Sequence, residues 1–168
     1  LIGSGPFEAK YVPLLTENRL QRLTPDEQYE FRSLAELLGG QESEAPAGSL
    51  QRLGELGAKT DTYDAIELDE LPFDPGVSSG AVYAGVWPQA ARLRQTGELL
   101  QLAALIACPV IAIHGAYDPH PADGVREPLT RTLRDFRMIV LEKCGHAPWR
   151  ERYAVDAFYA LLGRELSP

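Results

Sequence analysis

Two apolar runs in the last third of the sequence constrain this chain most. The first, Pro109 to His114, breaks at Gly115 and delivers Asp118 into a Pro-rich loop. The second, Met138 to Leu141, ends in Cys144-Gly145-His146. Runs that are continuously apolar, rather than alternating, are expected where a parallel sheet is covered on both faces. The segment between them, Val125 to Leu133, is just long enough to be the helix of a right-handed crossover, with Pro128 expected in its first turn. A last helix, Tyr153 to Leu166, would put Val155, Phe158, Tyr159, Leu162 and Leu166 on one side. The reading is an α/β fold. A carboxylate and an imidazole each sit just past the C-terminal end of a strand, the edge where open α/β sheets build their sites.

Upstream the pattern changes. Leu1-Ile2 followed by Gly-Ser-Gly-Pro reads as a strand stub and a tight turn. Thr16 is expected to cap a short helix through Leu23. Thr24-Pro25-Asp26-Glu27 has a capping Thr, Pro at the first helical position and Glu at the third, a capping box. The helix it opens runs through Tyr29, Phe31, Leu34, Leu37 and Leu38 to Gly39-Gly40. Gln41 to Gly48 reads as a loop. Ser49 caps a helix bearing Leu50, Leu53 and Leu56 on one face. Gly54 and Gly57 weaken that helix by about 1 kcal/mol each relative to Ala. Asp69 to Gly76, with two prolines, is a connector. Ser78 or Ser79 starts a helix through Trp87 that Pro88 kinks or interrupts, and Glu98 to Ile106 is a short apolar helix. The chain thus divides into a strand stub at 1–7, a helical region at 8–97 and a sheet-and-helix part at 98–168.

Composition excludes several classes. The 168 residues carry 24 acids against 16 bases, a net charge of −8, which disfavours nucleic acid and anionic membrane surfaces as partners. No apolar run approaches the roughly 20 residues of a membrane span, and no signal peptide is visible. Two cysteines make no disulfide framework, and a reducing cytoplasm is the expected setting. The chain opens on Leu1 inside an expected strand, which reads as a cleaved or truncated product.

Among residues that carry chemistry, Asp118 is either a turn residue before Pro119 or an orienting carboxylate. His146 follows a strand and a Gly, placed either as a general base or as a loop histidine bonded to backbone. His114 ends a strand and reads as a buried, hydrogen-bonded histidine. Asp118, His120, Cys144 and His146, with Asp123 nearby, are zinc-type donors, but their spacing matches no familiar zinc pattern, so no metal and no cofactor are expected. Three nucleophiles compete. Ser78 lies in Gly76-Val77-Ser78-Ser79-Gly80, which matches G-x-S-x-G, yet the acidic, Pro-containing lead-in is no strand. Ser4 is followed by Pro6 rather than a helix, and Cys144 shares a loop with His146. Tyr83, Trp87 and Trp149 either line an apolar pocket or pack as core.

His114-Gly115-x-x-Asp118 and Gly145-His146, with Leu1 to Phe7 (LIGSGPF) as the tail of an earlier strand, resemble the C-terminal part of the α/β-hydrolase family. The resemblance implies that Asp118 orients His146, and that His146 activates a Ser carried by an N-terminal half that this sequence lacks. It implies hydrolysis of an ester, amide or related bond of a small molecule, no cofactor, and a helical cap at 8–97. By itself the chain is then expected not to turn over esters. The alternative is a non-catalytic binding or regulatory module. An exposed parallel strand edge implies a homo-oligomer that pairs through the sheet.

Overall fold

The apolar runs are strands. In the computed structural model, which describes residues 1–39, 46, 48–66 and 79–167 (the side chains of 79–84 excepted), β1 spans Val110–Gly115 and β2 spans Phe136–Leu141. They pair in parallel from Val110 opposite Phe136 to Gly115 opposite Leu141. Successive peptide groups of a strand face opposite edges, so the groups of Ile111 and Ile113 are left for a neighbour on the far side. Leu1 to Gly3 takes that place. The Leu1 amino group donates to the Ile111 carbonyl at 2.8 Å, Ile113 N–H to Leu1 at 2.9 Å, and Gly3 N–H to Ile113 at 3.0 Å. This short segment runs parallel to β1, with Ile2 opposite Ile113.

Helices cover both faces of the sheet. On one side Ala112 packs with Ala103 of α5 (Glu98–Ala103) and with Val125 and Leu129 of α6 (Asp123–Thr132). On the other, Ile113 packs with Phe158 and Leu161 of α7 (Val155–Leu166). Neighbouring residues Ala112 and Ile113 thus face opposite layers, which is why neither strand shows polar alternation. A separate cluster, Leu23, Phe31 and Leu56, joins α2 (Pro25–Gly39) to α3 (Ser49–Asp61), with α1 (Val12–Leu20) alongside. The chain is an α/β protein with seven α-helices among the described residues, α4 (Ser79–Thr96) included.

Several local expectations change. The helix expected from Thr16 begins at Val12, with Pro13 in its first turn, so Thr16 lies inside it. The capping box forms: Thr24 N–H donates to the Glu27 carboxylate at 2.9 Å, and Glu27 N–H to the Thr24 hydroxyl at 3.4 Å. Gly48, with φ of 88°, precedes α3 instead of Ser49 acting as its cap. Pro88 lies within α4, which runs on to Thr96. Pro128 falls beyond the first turn of α6. A proline there leaves the carbonyl four residues earlier without its helical donor. That carbonyl belongs to Gly124, and it accepts the Phe7 N–H at 2.9 Å instead. Tyr159 and Leu166 are exposed, so the buried stripe of α7 is narrower than expected.

Candidate catalytic site

The three parallel segments end at one edge, and their last residues meet there. Ala116 N–H donates to Leu141 at 2.8 Å and Tyr117 N–H to Cys144 at 2.8 Å, which lashes the loop after β1 to the loop after β2. Gly115 allows this approach. A side chain there would overlap the carbonyl oxygens of Cys144 and Gly145. Gly3, at φ of 53°, lies equally close to the His146 carbonyl. Asp118 N–H closes a turn onto Gly115 at 3.1 Å and points the carboxylate inward.

At this edge His146 Nδ1 lies 2.9 Å from Asp118 Oδ2. Asp118 Oδ1 receives His120 Nδ1 at 2.7 Å and the His120 backbone N–H at 2.9 Å. The Asp118 side chain is shut off from solvent, whereas 37% of the His146 side chain remains exposed. Burial pushes the Asp118 pKa up, but the hydrogen bonds from His120 and His146 outweigh it and hold the group well below the usual carboxylate range. Asp118 is therefore an acceptor only, and both imidazoles must donate Nδ1–H to it. That leaves His146 Nε2 with a lone pair, and no hydrogen bond to it is made among the described residues. The Asp118 hydrogen bond raises the His146 pKa above its ordinary value, against burial. His114, beneath, donates Nε2–H to the His120 carbonyl at 2.9 Å, and burial lowers its pKa.

The helical layer holds the His146 loop from above. Asp61, at the end of α3, accepts the His146 N–H on its carbonyl at 2.7 Å, while Arg19 of α1 grips its carboxylate at 2.8 and 2.5 Å. Arg22 lies over the Tyr117 ring at 3.7 Å, and Asn18 donates to the Pro119 carbonyl at 2.9 Å. Glu151 is fully buried and accepts three backbone N–H groups, from Tyr63, Asp64 and Gly145, at 3.0, 2.9 and 2.9 Å.

Asp118 and His146 thus meet, and His120 joins them although its sequence spacing carried no such signal. Asp123 is exposed on α6 and pairs with Arg126. The Cys144 thiol faces the Gly145 carbonyl, and burial pushes its pKa up to about 12, so it stays protonated and is no nucleophile. Ser4 donates to the Gly5 carbonyl at 3.3 Å and makes no bond to His146. Ser78 lies outside the described residues, as does the Tyr83 side chain. Trp149 is half-exposed and leans on Phe158 of α7, 6.2 Å between ring centroids. Glu151, Asp61 and Arg19 carried no signal in the sequence because nothing in the local pattern of a charged residue outside a strand end marks the distant partner it will hold.

No family model matches this sequence, and no curated protein matches it. Among solved structures, the crystal structure of VinJ superposes with a TM-score of 0.53 at 16% identity, over 96% of this chain and 54% of that one. The likeness is one of fold, and this chain spans about half the length of that protein. No helix among the described residues is long and apolar enough to cross a membrane.

Proposed function

We propose that this chain is the C-terminal part of a serine hydrolase of the α/β-hydrolase type, acting on an ester, amide or related bond of a small molecule. The observation that carries the proposal is the buried Asp118 carboxylate 2.9 Å from His146 Nδ1, with His146 partly exposed. In that role Asp118 holds the Nδ1–H tautomer and stabilises the imidazolium. Nε2 takes the proton of an attacking serine and then gives it to the leaving group. The serine and the oxyanion-hole donors would come from a preceding segment whose strands extend the sheet. The outer edge of Leu1–Gly3, which has no strand partner among the described residues, is where they would add. An apolar groove of about 470 Å³ lined by Leu1, Phe7, Leu102, Ile106, Val110 and Leu133 lies alongside, and in the chain alone a second copy would cover both. Two unpaired cysteines suit a reducing cytoplasm.

The test is a fluorophosphonate probe, applied to the chain alone and to a longer polypeptide that includes whatever is encoded in frame before Leu1. The chain alone should not label. The longer polypeptide should label on one serine, and His146→Ala should abolish the reaction. A second reading, a non-catalytic binding module, is favoured by the lack of any described serine bonded to His146. It prevails if the longer polypeptide also stays unlabelled.

A further inference from the structure

A base–orienter pair needs one imidazole, yet Asp118 holds two. The His120 and His146 rings stack at 4.5 Å between centroids and 29° between planes, and both aim Nδ1 at the same carboxylate. One ligand atom from each of Asp118, His120 and His146 lies within 4.8 Å of the others. We propose that these three side chains form a binding site for a divalent first-row transition ion, with Zn²⁺ as the probe. Two imidazoles and one carboxylate, completed by a water, are a donor set that such ions accept.

His120 Nδ1 lies 2.7 Å from Asp118 Oδ1 and His146 Nδ1 lies 2.9 Å from Oδ2. Zn²⁺ with bonds of about 2.0 to 2.1 Å in a tetrahedron wants its ligand atoms roughly 3.3 Å apart, so each ring must retreat by about half an ångström from its own oxygen while the three ligand atoms, now within 4.8 Å of one another, draw together. His146 can do so, being partly open to solvent. The His120 loop is held by contacts that do not involve its ring: its carbonyl accepts from His114, its N–H donates to Asp118, and Asn18 bonds the preceding carbonyl. Such outer contacts orient metal ligands and maintain their affinity. Apart from Asp118 itself, the charges that bear on His146 are Asp61 of α3 and Arg19 of α1, which are paired with each other.

Binding has a chemical consequence. An ion on Nδ1 moves that proton to Nε2 by way of water, so each neutral imidazole changes tautomer without net loss of a proton. His146 Nε2 then carries a hydrogen and has no lone pair with which to act as a base. Occupancy of the ion site and function of the relay exclude each other. This last step rests on the hydrolase reading, whereas the binding itself does not.

The experiment uses the chain carrying Cys108→Ser, which removes an exposed thiol that would compete for zinc. Zn²⁺ is titrated by calorimetry, and the histidine tautomers are followed by ¹⁵N NMR. One ion per chain is expected, with His120 and His146 both passing from Nδ1–H to Nε2–H. His120→Ala should weaken binding at least tenfold, while ¹⁵N NMR of the zinc-free variant should still show His146 as Nδ1–H bonded to Asp118, which confirms that the site is folded. Absence of binding, unchanged affinity in His120→Ala, or unchanged tautomers would overturn the proposal. Zinc binding without serine labelling of the longer polypeptide sinks the relay alone, and labelling without zinc binding sinks the ion site alone.

Discussion

Glu151 accepts the Gly145 N–H at 2.9 Å, so one buried carboxylate fixes the residue that carries His146 on its shoulder. The same carboxylate accepts the Tyr63 and Asp64 N–H groups just after α3. It therefore joins the helical layer to the loop after β2, next to the isolated bridge between Ala65 and Glu151.

Glu151→Ala should destabilise the protein by roughly 3 kcal/mol, since buried backbone donors left without an acceptor are costly. Glu151→Gln, which keeps one acceptor oxygen, should lose less. Chemical denaturation of both variants checks the order. Equal and negligible losses would remove Glu151 from its structural role.

Gly145→Ala and Gly115→Ala should each cost about 2 to 3 kcal/mol, as overpacking of a filled site does. The added methyl at 145 would overlap the Asp61 carbonyl and the Glu151 carboxylate, and at 115 two backbone carbonyls. Gly54→Ala, on the exposed side of α3 with nothing near, should instead stabilise by about 1 kcal/mol.

The pH dependence follows from Asp118. Its hydrogen bond raises the His146 pKa, so the stability that this pair contributes is complete below the unfolded histidine value, about 6.5, and is lost as pH rises through the higher folded value. Asp118 has a depressed pKa, so its contribution is present above the unfolded carboxylate value and is lost only as pH falls through the lower folded one. His114, lowered by burial, likewise favours the fold at higher pH. Asp118→Asn should bring the His146 titration, followed by NMR, down toward or below 6.5. An unmoved His146 titration would show that Asp118 does not hold its proton.

Thiol chemistry separates the two cysteines. Cys108 is exposed and Cys144 is buried, with its pKa pushed up to about 12. A disulfide reagent should modify one thiol rapidly in the native protein and the second only after denaturation. Rapid loss of both would mean that the loop bearing His146 opens far more readily than its hydrogen bonds imply.

What the sequence by itself determined are the features set by near neighbours. The apolar runs Pro109 to His114 and Met138 to Leu141, without alternation, marked two strands of a covered parallel sheet, which the fold extends to Val110–Gly115 and Phe136–Leu141, and strand ends placed Asp118 and His146 at its C-terminal edge. The capping box of α2 was legible because its two reciprocal bonds span three residues. The tertiary structure decided which side chains share a partner. Whether Asp118 serves one imidazole or two depends on how the turn after Gly115 folds back, and Glu151 finds two of its three donors 87 and 88 residues away. The sequence placed Pro128 in the first turn of its helix, and the fold puts it deeper in α6, where Phe7, distant in sequence, supplies a donor to the carbonyl that the proline leaves free. Periodicity and turn chemistry act over a few residues, whereas burial and hydrogen-bond partnership at this edge are set by segments that meet only when the helical layer closes over the sheet.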